Sequence, residues 1–84
     1  MKREEILEEL VSLAERIGIE IRYETMGTIS GGLCRIHDGQ VILINKHLST
    51  ASKIELLASE LALEKKKLSE IFILPEIREL LGLL

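Results

Sequence analysis

Four residues in the middle of the chain have side chains that could do chemistry. Cys34 and His37 are three positions apart, Asp38 is adjacent, and His47 follows ten residues after the first histidine. Cys-x2-His is a spacing that zinc ligands use. The Cys34 thiol could also act as a nucleophile if a base lay within hydrogen-bonding reach. These residues are the first candidates for a metal site or a catalytic site.

The secondary structure predicted around these residues keeps them apart. Asp38-Gly39 is a strong two-residue turn signal, because both central positions of a type I′ turn need positive φ. Pairing outward from this turn places Cys34 opposite Leu43 on an aliphatic face, with His37 beside the turn. The later histidine would have to return across roughly 25 Å of strand to reach the first. We therefore predict a buried, slowly reacting Cys34.

Acidic and basic residues on the predicted helices are the remaining candidates. Glu60 and Glu64 lie one turn apart, the spacing of a possible carboxylate pair. Acids on helix surfaces are usually solvated, and their pairs with Lys or Arg contribute only about 0.3–0.5 kcal/mol. The run Lys65-Lys66-Lys67 likewise indicates a solvated helix end. The sequence thus predicts no catalytic residue, no cofactor and no metal ligand.

Hydrophobic periodicity predicts the elements in the first half of the chain. Apolar residues recur every three or four positions over residues 3–17, which predicts a helix that ends at Gly18. Strict alternation over residues 19–24 predicts a half-buried strand. The glycine-containing loop that follows lacks the spacing of a phosphate-binding loop. Two apolar runs around the turn signal predict a hairpin over residues 32–45.

A second long helix and a short third one complete the predicted fold. The long helix covers residues 50–67, with Ser49 or Thr50 as its cap. Pro75 suits the first turn of a short helix that extends to about Leu81. The predicted class is therefore α+β: helix, strand, β-hairpin, long helix and short C-terminal helix, with a three-stranded, mostly antiparallel sheet packed on the helices.

Composition restricts the class of protein. The chain has 84 residues, which fits one domain over residues 1–84, and 30 of them are Leu, Ile or Val, which excludes disorder. No uncharged run approaches the roughly 20 apolar residues of a transmembrane helix. One cysteine and an acidic start without a secretory signal predict a cytoplasmic protein. Abundant Glu, Lys and Ile with few amides is typical of a thermophile.

Charge and aromatic content argue against nucleic acid and membrane as partners. The net charge is −3, and residues 25–53, with three basic and one acidic group, carry the only positive third of the chain. This is far from the basic footprint of a nucleic-acid-binding domain. Tyr23 and Phe72 are the only aromatic residues, so no stacking platform for single strands can form.

The amount of apolar surface predicts a homodimer. Apolar residues remain on a second face of the sheet, on a second side of the long helix and at the chain end. These residues are Leu33, Ile42, Ile44, Leu56, Leu63 and the apolar positions of Leu80–Leu84. If the two long helices pack together on one sheet face, they leave a patch larger than a soluble monomer tolerates. We predict a non-catalytic homodimeric interaction module, unless the short C-terminal helix covers the second face within one chain.

One stretch resembles the core of the IrrE-like zinc metallopeptidases. It comprises Val41-Ile-Leu-Ile-Asn45, Leu48-Ser49 and the helix Lys53–Leu63, followed by Phe72-Ile-Leu-Pro75. In that family a strand ending in Asn precedes a helix that carries His-Glu-Leu-Gly-His. Ser59-Glu60-Leu61-Ala62-Leu63 stands in that place here. Glu60 matches a catalytic position, whereas Ser59 and Leu63 replace both zinc-binding histidines.

The resemblance implies a degenerate, metal-free relative of these peptidases, because a glutamate alone cannot activate water without the metal. This interpretation is the alternative to the interaction module, together with a small enzyme whose site the sequence does not reveal. The chain as a whole is similar to the small conserved bacterial proteins of unknown function.

Overall fold

Four helices and three strands make up residues 1–83, which the computed structural model describes. In chain order they are α1 (Arg3–Arg16), β1 (Ile19–Glu24), β2 (Gly31–Ile36), β3 (Gly39–Asn45), α2 (Thr50–Leu61), α3 (Lys65–Leu68) and α4 (Pro75–Leu80). The α+β class and the three-stranded sheet packed on helices are confirmed. Within residues 1–83, no helix combines the length and apolar character that spanning a bilayer requires.

The first helix begins and ends as its sequence predicts. The Glu5 side chain accepts a hydrogen bond from the backbone N–H of Lys2 at 2.8 Å, at the end where the helix dipole favours negative charge. Gly18 takes the left-handed conformation, with φ 84°, that lets the chain leave the helix. Strand β1 starts at the next residue, so the helix and the strand are packed against each other.

The sheet is mixed, with β3 in its centre. Strand β2 pairs with β3 in the antiparallel direction of a hairpin, and β1 pairs with the other side of β3 in parallel. The chain therefore passes from one edge of the sheet to the other before it enters the centre. Val41 lies between Glu20 on one neighbouring strand and Cys34 on the other.

The hairpin register differs from the predicted one by two residues. Ile36 pairs with Gly39, so the connecting residues are His37 and Asp38, and Cys34 lies opposite Val41 rather than Leu43. His37 takes the positive φ of 50° that the turn requires. A shift of two residues leaves every side chain on the same side of the sheet, because the side-chain period of a strand is two.

The prediction of which sheet face forms the core is wrong. Ile42 and Ile44 are fully buried and share one cluster with Ile19 and with residues of all four helices. The cluster lies on the side predicted to be the second, uncovered face. Cys34 is on the opposite face and is exposed, so the prediction of a buried thiol is also wrong. The helices cover the sheet face on which β1 places Ile19 and Ile21, because the other face of β1 carries charged residues.

The second long helix is shorter than predicted. It ends at Leu61, and Glu64 leaves helical geometry with φ −100° and ψ 41° before α3 begins. The break lets Leu68 enter the core and lets Lys67 donate a hydrogen bond to Gln40 of the hairpin at 3.0 Å. Tertiary contacts therefore end the helix at a point where the sequence has no glycine or proline.

The C-terminal helix α4 begins at Pro75 as predicted but packs against α1, on the core side of the sheet. Ile77 and Leu81 enter the same cluster as Ile42. The helix therefore lies on the face of Ile42 and Ile44, the one predicted to be the second face, where the single-chain alternative places it. The face without a helix is the opposite one, on which Cys34 and Ile36 are exposed. That face is left to its own side chains.

Gly31 should be the least replaceable residue of the sheet. A Cβ atom at this position would lie 2.0 Å from the carbonyl oxygen of Leu43, and its φ is 136°. Gly31→Ala should therefore lower the free energy of unfolding by about 3 kcal/mol. Gly32→Ala is the matched control, since a Cβ there meets nothing within 4 Å, and it should cost only about 1 kcal/mol. Urea unfolding followed by circular dichroism measures both, and equal losses would contradict the close approach.

Candidate functional site

An open groove of about 700 Å³ lies along the exposed side of α2. Small, hydroxyl and aliphatic side chains line most of it, with Glu55 as its titratable group. Among the lining residues are Ser30, Ser52, Leu56, Ser59, Ala62 and Leu80. The groove runs from the start of β2 to α4. The feature of the sequence that indicated this groove was the second apolar side of α2. The serines of the groove and the contribution of Ser30 were not predicted.

Asn45 fixes the position of the loop that precedes β2 and borders this groove. Its buried side chain donates two hydrogen bonds, to the carbonyl oxygens of Gly27 at 3.1 Å and Ile29 at 2.9 Å. Its Oδ1 accepts a hydrogen bond from the backbone N–H of His47 at 3.1 Å. Its own backbone N–H donates to the carbonyl oxygen of Ser30 at 2.9 Å. One residue thus joins the β1–β2 loop, the end of β3 and the turn that leads into α2.

The start of α2 is held by the predicted cap. The Ser49 hydroxyl accepts a hydrogen bond from the backbone N–H of Ser52 at 3.1 Å. The two serine hydroxyls are also hydrogen bonded to each other. The helix therefore starts immediately beyond the turn held by Asn45, with Ser52 facing the groove.

The three positions singled out by the peptidase resemblance lie at the end of α2. The Ser59 hydroxyl donates to the carbonyl oxygen of Glu55 at 2.8 Å, so it is used within the helix. Glu60 is half-buried, and Leu63 is 75% exposed. This set supplies one carboxylate and no nitrogen or sulfur donor, so it offers a metal at most a single ligand.

The structure does not bring Cys34, His37 and His47 together. Cys34 lies in β2, His37 is at the hairpin turn, and His47 follows the opposite end of β3. Within residues 1–83, no three His, Cys, Asp or Glu side chains lie close enough to hold a metal ion. The thiol also has Val41 as its cross-strand neighbour rather than a base.

A second recess, of about 400 Å³, lies between the hairpin turn and α3. It is polar, and it contains both signs of charge, with Arg35 and Lys67 facing Asp38 and Glu64. The Lys67 ammonium is 3.5 Å from a carboxylate oxygen of Glu64. Lys67 also donates a hydrogen bond to Gln40, so this recess holds α3 against the hairpin.

The outer strand β1 carries the clearest electrostatic perturbations. Hydrogen bonding to Glu20, together with its negative charge, raises the pKa of Arg22. Partial burial raises the pKa of Tyr23, and the charge of Glu15 adds to this effect. Lys53 of α2 lies 5.4 Å from the centre of the Tyr23 ring, in a cation–π contact. All these groups stabilise the β1 side of the molecule and lie outside the α2 groove.

Comparison with protein-family models, with curated proteins and with solved structures finds no match to this chain. The functional argument therefore depends on the geometry of the groove and of the sheet.

Asn45→Ala should lower the free energy of unfolding by about 2–3 kcal/mol, because it leaves the carbonyl oxygens of Gly27 and Ile29 without their donors. Gln40→Ala is a suitable control on the same strand. Its amide oxygen accepts one hydrogen bond from a surface lysine, and its loss should cost about 0.5 kcal/mol. Urea unfolding measures both variants. Equal effects would show that the Asn45 network does not organise the loop.

Proposed function

We propose that the protein is a non-catalytic interaction module that acts as a homodimer. The observation that carries the proposal is the exposure of large aliphatic side chains along the α2 groove. Of the groove's aliphatic lining, Leu80 is 44% exposed, and Leu48, Ile54 and Leu56 are partly buried. Leu63, two residues beyond the end of α2, is 75% exposed. Isolated exposed leucines are ordinary, but a groove bordered by several of them is typical of a surface that binds another protein.

The chemistry of the groove supports binding rather than catalysis. Glu55 is exposed, and the hydroxyl of Ser59 donates to the helix backbone. A nucleophile needs an adjacent base, and a general acid or base needs a pKa matched to its task. The groove residues instead offer small and aliphatic side chains against which a second surface can pack closely. Burial of one leucine on such packing contributes about 1.5–3 kcal/mol.

The proposal includes a cytoplasmic location and no nucleic-acid or membrane partner. A single cysteine that is exposed and unpaired suits a reducing compartment. The acidic net charge of −3 disfavours attraction to nucleic acid and to anionic lipid surfaces. The thermophile-like composition remains part of this proposal, and thermal unfolding of the purified protein would test it.

Multi-angle light scattering at micromolar concentration should give twice the 9.5 kDa chain mass. Leu63→Glu should shift the protein to the monomer, because a carboxylate would replace the exposed apolar side chain just beyond the end of α2 in the proposed interface. The helical circular dichroism should be unchanged, since this side chain is not part of the core.

Phe72→Glu is the matched control for Leu63→Glu. Phe72 is 73% exposed, and its backbone oxygen accepts a hydrogen bond from Arg16 on the α1 side of the molecule. This variant should remain dimeric. A wild-type protein that stays monodisperse as the monomer, or equal dissociation by both variants, would contradict a dimer that uses the α2 groove.

The alternative is a degenerate, metal-free relative of the IrrE-like zinc metallopeptidases. One observation favours it: β3 ends in the buried Asn45, and α2 follows directly with Glu60 half-buried near its end. This order of elements is the one that the resemblance implies. In such a relative the former peptidase scaffold would be retained for binding.

Both functions predict a protein without bound metal. Elemental analysis after purification without a metal-affinity tag should find no stoichiometric zinc or other transition metal. The reason is that Ser59 and Leu63 provide no zinc-binding group and that Cys34, His37 and His47 lie apart. One metal ion per chain that is lost in a His37→Ala/His47→Ala double variant would contradict both functions and would indicate a metalloenzyme.

A further inference from the structure

The two edges of the sheet differ in how well they are protected against pairing with another strand. Strand β1 carries three charged residues, Glu20, Arg22 and Glu24, and all are exposed. Charged residues on an edge strand prevent pairing with another chain. Strand β2 has Arg35 as its only charged residue. Within residues 1–83, β3 is its only backbone partner, so its outer edge has unpaired N–H and C=O groups.

We infer that β2 pairs with β2 of a second copy of this chain, in the antiparallel direction, about a two-fold axis beside Cys34. The inference rests on the proposed homodimer and specifies its interface. The result would be one continuous six-stranded sheet with the charged β1 strands at both outer edges. Such an interface is isologous, as the symmetry of a homodimer requires.

Only a few registers are compatible with a two-fold axis perpendicular to the sheet, because one residue must then lie opposite its own copy. Centring the axis on Arg35 would place two like charges opposite each other, which is destabilising. Centring it on Cys34 places Ile36 opposite Gly32 of the second copy. A Cβ at Gly32 would meet nothing within 4 Å, so there is open space for the isoleucine side chain.

Charge complementarity favours the register centred on Cys34. In this register Arg35 of the second copy lies opposite Leu33, on the face that α2 covers. Leu56 of α2 packs beside Gly31, and Glu64 lines the same recess as Arg35 of its own chain. Glu60 lies one turn beyond Leu56 on α2 and four residues before Glu64, so it lies between these two positions along the strand direction, near Leu33.

Arg35 of the second copy therefore meets Glu60. The symmetry repeats this ion pair, so two such pairs flank the axis. Glu60 has no salt-bridge partner among residues 1–83 of its own chain.

The same pairing would cover the α2 groove. The groove begins at Ser30, immediately before β2, and Leu56 lies over the first residue of that strand. A second copy joined along β2 carries its own α2 on the same side of the extended sheet. The two grooves would then face each other across the axis, and Leu63, just beyond the end of α2, would lose its exposure to water.

Oxidative cross-linking at Cys34 tests the axis directly. In wild-type protein at low micromolar concentration, diamide should form the disulfide-linked dimer readily, as seen by electrophoresis without reductant. Opposed thiols in a strand pair react at an effective concentration in the millimolar range, so cross-linking should be about a hundredfold faster than for thiols that meet by diffusion. The matched control is Cys34→Ser/Arg22→Cys, which places the thiol on the same sheet face in the middle of β1. It should cross-link only at the diffusional rate.

Charge reversal tests the register. Arg35→Glu and Glu60→Arg should each raise the dimer dissociation constant about tenfold, because each places two pairs of like charges at the interface. The double variant restores opposite charges and should return to within about threefold of wild type. Neither residue belongs to the core cluster, so circular dichroism should show the same fold in all three variants.

The outcomes separate this inference from the proposed function. Rapid cross-linking of Cys34 together with rescue in the double variant would establish the β2 interface. A stable dimer in which Cys34 cross-links no faster than the β1 control would overturn the interface and leave the homodimer in place. A protein that remains monomeric and cross-links only at the diffusional rate would overturn both.

Discussion

The hydrogen bonds of the Asn45 side chain are the constraint on which the rest of the structure depends. Two donors and one acceptor on a single amide satisfy backbone groups of the β1–β2 loop and of the turn after β3. An aspartate at this position would be an acceptor only when ionised and could not donate to two carbonyl oxygens. With the amide in place, the loop closes against the end of β3 and α2 starts in one direction. The loop and α2 both border the groove, so the position of the groove depends on these two effects of Asn45.

The helices lie on only one side of the sheet. The side chains on the other side therefore have no helix to cover them. On β1 that side carries Glu20 and Arg22 as an ion pair, and their long side chains flank the central strand. Val41 is almost fully buried on this face although no helix covers it. The exposed apolar area is thereby concentrated on β2, where Cys34 and Ile36 are exposed. The contrast between the two edges supports the proposed pairing of two copies through β2 rather than through β1.

Helix α2 contributes to the core and to the groove at the same time. Leu57 and Leu61 are fully buried, whereas Ser59 is exposed and lines the groove together with Leu56. A helix with apolar residues on two sides usually has two packing partners. The protein itself supplies the first through α1 and the sheet. The second would be another polypeptide surface, and the half-buried Glu60 contributes a negative charge beside it.

The sequence by itself determined every element except α3, and several of their ends, because these depend on local interactions. Hydrophobic periodicity was sufficient to predict α1, and alternation was sufficient to predict β1. Gly18 ends the first helix through its left-handed φ, and Ser49 caps α2. A turn of two residues and a hairpin were also predictable, since they require only a few neighbouring residues.

Only the tertiary structure decided which face of the sheet is buried. Both faces of the hairpin carry aliphatic residues, so Ile42 and Cys34 were equally suited to the core until the parallel pairing of β1 placed Ile19 and Ile21 beside one of them. The end of α2 likewise depends on Leu68 and Lys67 reaching partners that are distant in sequence. These features depend on contacts between elements. The free energies of such contacts cannot be read from local sequence patterns.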